Sequence, residues 1–282
     1  MLKKLIERIC KEKVVCQNVC IYQLDNGNSL ATNYCVYCDG IPYFFAKTYQ
    51  ANSDTRYQAL KYLQNNCKMI VPLVADIELK VGWRLMIMKW VNCEQFALNG
   101  KNARDCASLL KEFHCISVPE EYPKLNICTE IEQYVSFIKQ NDIAFPFKDD
   151  IIEYLYSSCF IENQFSFTHM DFHAKNIIKE DENIFFIDYE NISISHPWRD
   201  LVYACFFHNN EEDFFWKQFL DEYLGGNIPV HFWESMKYFV YIHLLRMIIC
   251  EYQNKHYDEI HKLANSVTTG FLLLSSSPRW FS

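Results

Sequence analysis

Residues 166–178, SFTHMDFHAKNII, and residues 184–190, IFFIDYE, decide how this chain is read. An apolar run leads up to His169, breaks for a short loop that carries Asp171, and resumes as Ile177-Ile178 directly after Asn176. A second apolar run ends on Ile187-Asp188, with Glu190 two residues further on. Apolar runs interrupted by polar turns read as short strands, and charged groups at strand ends are where a cleft can use them. A tight loop after Asp171 lets Asn176 enter the next strand pointing back at the cleft, and the hairpin partner then returns Asp188 to the same place.

Outward from this insert, Ser166 to Ser195, the pattern is helical on both sides. Apolar residues recur at helical spacing over Ala103–His114, Ile127–Gln140, Asp149–Ile161, Glu211–Leu224 and Val230–Asn265. The front of the chain differs. After an amphipathic first helix, MLKKLIERICKEK, the runs Val14–Leu24 and Asn33–Tyr49 are rich in Val, Ile, Tyr, Phe and Thr, with Asp25-Asn26-Gly27-Asn28 and Asp39-Gly40 as turns. A helix over Ser53–Gln64 follows, capped by Ser53 or Asp54, and strands over Met69–Val74 and Trp83–Val91 complete a five-stranded sheet. The expectation is an α+β chain: a β-rich N-terminal lobe over residues 1–90 and a mainly helical lobe over residues 91–282.

Phosphoryl transfer asks little covalent help of a protein. It needs a group to orient the attacking hydroxyl and ligands for the metal that bridges the phosphates. Asp171 suits the first task. Asn176 and Asp188 suit the second, because Mg²⁺ takes hard oxygen ligands and keeps several waters.

The stretch Phe167 to Ala204 resembles the active-site segment of the aminoglycoside phosphotransferase and choline kinase families. It matches in three parts: His169-x-Asp171 with Asn176, Ile187-Asp188-x-Glu190, and Pro197-x-x-Asp200-Leu201. The resemblance implies a bilobal protein-kinase-like fold and a small-molecule kinase using ATP or GTP with Mg²⁺. It makes Asp171 the catalytic base, Asn176 and Asp188 the metal ligands, and Glu190 a contact to a second metal. His169 braces the loop and Asp200 supports it from beneath. Where these families often carry Gly, this chain has Met170.

In the front lobe the same resemblance makes Lys47, at the end of Phe45-Ala46-Lys47, the lysine that contacts the α- and β-phosphates. The helix glutamate that pairs with such a lysine is replaced by Gln58, ahead of Ala59-Leu60. A neutral amide cannot balance an ammonium, so either another carboxylate helps or the lysine is held less firmly. Asp25 to Tyr34 resembles a phosphate-covering loop, with Ser29 and backbone N–H groups as its donors. Residues Arg84–Val91 form the connector, where Met88 and Trp90 offer apolar contact to a nucleobase. His114, His196, His208 and His243 read as capping or packing residues.

Composition narrows the partners. A net charge of −8 argues against broad affinity for nucleic acid or anionic membrane and tolerates a cationic acceptor such as an aminoglycoside, a choline-like amine or an amino sugar. Thirteen scattered cysteines lack the dense spacing of a small secreted scaffold, so reduced thiols and a cytoplasmic location are expected. Cys16…Cys20 and Cys35-x-x-Cys38 have no matching second pair for a zinc site. The longest apolar stretch, Tyr238 to Cys250, carries His243 and Arg246 and is too short to span a bilayer. Two other readings stand beside the small-molecule kinase. One is a protein kinase, which the short segment between Glu190 and Pro197 disfavours; the other is a pseudokinase that binds nucleotide without turnover.

Overall fold

The computed structural model describes residues 2–24, 32–50, 54–93, 96–158, 164–207 and 212–272. The turn at 25–28, Ser29, Ser53 and His208 lie outside them. The chain divides into two compact units, one of residues 1–96 with 175–192, the other of residues 97–174 with 193–282.

In the first unit, α1 (Leu2–Lys13) precedes a five-stranded antiparallel sheet of β1 (Val19–Gln23), β2 (Thr32–Cys38), β3 (Ile41–Gln50), β4 (Leu73–Lys80) and β5 (Trp83–Lys89). The strands lie in the order β1-β2-β3-β5-β4, and α2 (Asp54–Asn66) follows β3. The β2–β3 turn is Asp39-Gly40, with φ of 50° and 85°. Both values lie in the left-handed region that the tightest hairpins require, and Gly40 adopts it without a side-chain penalty. The Asp39 carboxylate also accepts the backbone N–H groups of Gln17 and Asn18, at 2.8–3.2 Å, which keeps residues 14–18 out of β1.

Side chains alternate across a strand, and here the two faces have different occupants. Phe44 and Ala46 of β3, with Leu85 and Ile87 of β5, join Ile6, Ile9 and Cys10 of α1 in one buried cluster. Phe45 and Lys47, paired across the ladder with Met88 and Met86, face the other way.

The strand expected over Met69–Val74 runs instead from Leu73 to Lys80. Pro72 has no N–H to give a ladder, and the Gln64 side chain takes up its neighbours, donating to Val71 O (3.0 Å) and accepting from Leu73 N (2.8 Å). Segment 69–71 serves a different partner. The hairpin β7 (Ile177–Glu180) and β8 (Asn183–Phe186) docks on it through Phe186 N–H to Met69 O at 2.9 Å and a parallel bridge between Ile70 and Phe186.

The second unit holds α3 (Gly100–His114), α4 (Ile127–Gln140), α5 (Lys148–Ser157), α6 (Asp213–Leu224), α7 (Phe232–Gln253) and α8 (Tyr257–Leu272), with the short strand pair β6 (Ser166–Thr168) and β9 (Ser193–Ser195). Asn99 and Asn126 cap α3 and α4 by accepting N–H groups of the first turn. α3 packs on α6, while α4, α5 and α8 pack on α7, a helix buried along most of its length. The single helix expected over Val230–Asn265 is two. Lys255, at φ 65°, closes α7 in a Schellman turn in which His256 N–H reaches Glu251 O and Lys255 N–H reaches Tyr252 O. The helix expected over Asp149–Ile161 ends at Ser157, because Ser158 is extended. Among the described residues no helix is long and apolar enough to cross a membrane.

Candidate active site

The sheet face turned away from α1 forms the wall of an apolar cavity of about 300 Å³ in the first unit. Leu60, Val71, Met86, Met88, Trp90 and Phe186 contribute to its lining, and Lys47, Lys89, Asp188 and Glu190 are the charged groups at it. Strand alternation places Lys47 there, and its side chain is only 9% exposed. Lys47 Nζ lies 2.9 Å from Asp188 Oδ1 and 2.7 Å from Glu190 Oε1. Burial alone pulls its pKa down, but the two carboxylates outweigh that and leave it raised, so the lysine is held as a cation.

Asp188 sits just past β8 in the left-handed region at φ 67°, an uncommon conformation for a residue with a side chain. That turn starts a short 3₁₀ segment, Tyr189–Asn191, and brings Asp188 and Glu190 to the same ammonium. Asn176 is buried at the start of β7, where its carbonyl accepts the Ile187 N–H at 2.9 Å. Met88 and Trp90 line the cavity as expected, whereas Gln58 is exposed on α2 and is not part of the lining. Ser29 lies outside the described residues.

In the second unit the loop that carries Asp171 is held from both sides. Asp200 is 1% exposed, and its two oxygens accept the backbone N–H groups of His169 (2.8 Å) and Met170 (2.7 Å). His114 Nε2 lies 2.9 Å from the same carboxylate, and its Nδ1 lies 2.7 Å from the Tyr223 hydroxyl. With Nε2 donating to Asp200, Nδ1 accepts the Tyr223 proton, which burial keeps on the phenol by raising its pKa. Met170 has φ 65°, and Arg246 Nη1 donates to its carbonyl at 2.9 Å. Hydrogen bonds on both the N–H and the C=O thus hold a conformation that glycine would adopt freely, so the chain needs no glycine here.

Asp171 is partly exposed. The Tyr203 hydroxyl hydrogen-bonds it, and His173 Nε2 lies 3.9 Å from its Oδ2. Burial first, and then the Asp171 charge, push the Tyr203 pKa up, so the phenol remains a donor. Behind the turn, Arg199 grips Glu130 bidentately at 2.7 and 3.0 Å. Burial would raise the Glu130 carboxyl, but the guanidinium holds its pKa below the usual range.

Sequence reasoning missed Arg246, Tyr203 and the Glu130–Arg199 pair. A signal existed for Arg246, since an arginine inside a long apolar helix needs a partner. Tyr203 and Glu130 carry no comparable mark, because their roles depend on residues far away in the chain.

The arrangement supplies a fixed cation beside an exposed carboxylate at the rim of an apolar cavity, and in the other unit a carboxylate on a braced loop. Comparisons with known proteins agree with this fold. No curated protein sequence is similar enough to count as a match. Among solved structures, a choline kinase from Cryptosporidium parvum is similar at 14% identity and TM-score 0.69, covering 96% of this chain and 94% of that one. A fructosamine-3-kinase, so described provisionally, from Haemophilus somnus is similar at 14% identity and TM-score 0.66, covering 93% and 96%. A spectinomycin phosphotransferase solved with ADP and spectinomycin is similar at 17% identity and TM-score 0.63, covering 89% of each chain. These likenesses show a protein-kinase-like fold. The model of the phosphotransferase enzyme family matches residues 49–237, more than half of the sequence, so the chain belongs to that family.

Proposed function

We propose that the protein is a small-molecule kinase that transfers the γ-phosphoryl group of ATP or GTP to a hydroxyl of a small acceptor. The observation that carries this reading is Lys47, a buried cation at an apolar cavity whose carboxylate partners come from the Ile187-Asp188-x-Glu190 turn. An apolar slot with a charged rim suits a nucleobase with its phosphates, and the ADP held by the spectinomycin phosphotransferase supports that ligand. In this reading Met88 and Trp90 flank the base and Lys47 meets the phosphates.

Mg²⁺ fits the donor set. Asp188 offers a carboxylate that is 39% exposed, Asn176 an amide, and phosphates with water complete the shell. When bound, the ion neutralises charge on the phosphate oxygens. Asp171 takes the proton of the attacking hydroxyl, Tyr203 orients its carboxylate, and Asp200 with Arg246 keeps the loop in place.

The acceptor is proposed to be a hydroxylated amine of the aminoglycoside, choline-like or amino-sugar class, in keeping with a net charge of −8. The test is nucleotide consumption with Mg²⁺ across such a panel, with nucleosides and a generic protein substrate included. One small acceptor should stimulate turnover, and Asp171→Ala should lower it by about 10²- to 10⁴-fold with nucleotide affinity nearly unchanged. Nucleotide binding without phosphorylation of any acceptor would replace this reading with that of a binding module.

A further inference from the structure

The two carboxylates on Lys47 are not equivalent. Glu190 is the nearer, at 2.7 Å against 2.9 Å for Asp188. The two side chains are similarly exposed, 31% for Glu190 and 39% for Asp188, but the contacting oxygen of Glu190, Oε1, is itself shut off from solvent. A hydrated divalent ion can reach an exposed carboxylate and keep several waters, but it cannot reach an oxygen already enclosed against an ammonium. A buried lysine also needs a lasting counter-charge, because leaving a buried charge unpaired is costly. The helix that follows β3 offers no carboxylate at position 58, where glutamine stands.

We infer that Glu190 is the permanent counter-ion of Lys47, a positioning residue and not a metal ligand, and that Asp188 is the exchangeable partner given up to metal and nucleotide. The pairing deepens the kinase reading and rests on it for its catalytic meaning. It resolves how a lysine in this position is held with Gln58 in the preceding helix: the carboxylate comes from the turn after β8, and the charge balance stays within the first unit. Substrate binding then changes only one of the two contacts, so Lys47 keeps its place while Asp188 turns to the metal.

Two measurements on the full chain test this. The first is a double-mutant cycle on chemical unfolding with Lys47→Met, Glu190→Gln and the double variant, repeated with Asp188→Asn in place of Glu190→Gln. Lys47 and Glu190 should couple by at least about ten-fold in the folding equilibrium constant, and Lys47 and Asp188 by less than about three-fold. The second is calorimetric ADP affinity with and without saturating Mg²⁺. The enhancement given by Mg²⁺ should stay within about two-fold of wild type in Glu190→Gln and fall at least about ten-fold in Asp188→Asn. A collapse of the enhancement in Glu190→Gln would make Glu190 a metal ligand and overturn the inference, even if the Lys47 variants fail to fold. A wild-type chain that binds no ADP would sink the kinase reading alone, and the unfolding cycle would still decide the pairing.

Discussion

The loop at 169–171 and the turn at 188–190 each place a residue with a side chain in the left-handed region, yet they are held by opposite means. Met170 is fixed through its backbone, with Asp200 on its N–H and Arg246 on its C=O. Asp188 and Glu190 meet Lys47 only through their side chains. Asp200 is buried and fully engaged, whereas Asp188 is 39% exposed. Backbone clamps make a rigid platform, and side-chain ion pairs at a cavity rim make partners that can be exchanged. The same residue type, aspartate, is therefore a buried backbone clamp in one region and, in the proposed kinase reading, a ligand-binding group in the other.

Asp200→Ala should break the contrast most severely. It strands two backbone N–H groups and His114 in the interior, and should cost about 3–5 kcal/mol of unfolding free energy by chemical denaturation. If the loss were within 1 kcal/mol or so, the clamp would not be structural.

Acid should attack the same region by a different route. His196 Nδ1 accepts the Trp198 N–H at 3.2 Å in the turn that carries Asp200. Burial first, then the nearby His114 and Arg199, lower the His196 pKa from 6.5 to about 4. The fold favours the neutral imidazole, so its contribution is complete above the unfolded pKa near 6.5 and is lost as pH falls toward 4. His196 should account for up to about 3 kcal/mol of lost stability across that window, and His196→Gln should flatten the curve.

Asp188→Ala should behave unlike Asp200→Ala. Stability should change by about 1 kcal/mol or less, because the side chain is partly solvated, while Mg-nucleotide affinity falls by about ten-fold or more in calorimetry. The smallest effect is expected for Met170→Gly. Relief of the left-handed backbone and the added freedom of the unfolded chain oppose each other, giving a net change within about 1 kcal/mol. A large loss would show that the Met170 side chain, and not its backbone, holds the loop.

Much of the fold was legible because its signals are local. The first helix, the Asp39-Gly40 hairpin, four of the five strands and the helix over Ile127–Gln140 follow from periodicity and turn chemistry. The misplaced fourth strand had a local mark in Pro72, but the Gln64 side chain that shapes the segment could not be read as its partner. The break at Lys255 escaped because lysine is an unusual residue for a left-handed cap. At the candidate site, Lys47, Asp171, Asn176, Asp188, Glu190 and Asp200 were legible as residue types at a characteristic spacing. What each of them touches was not.

The sequence by itself determined the membership of the chain in a phosphotransferase family and the α+β class, because residue spacing and hydrophobic periodicity are local properties. Tertiary structure alone decided that hairpin 177–186 docks on residues 69–71, that Arg246 clamps a loop 76 residues earlier, and that Asp188 and Glu190 both meet the charge of Lys47. The physical reason is that burying a charge or a bare backbone group demands a partner, but the demand names no position in the chain; packing decides which residue meets it.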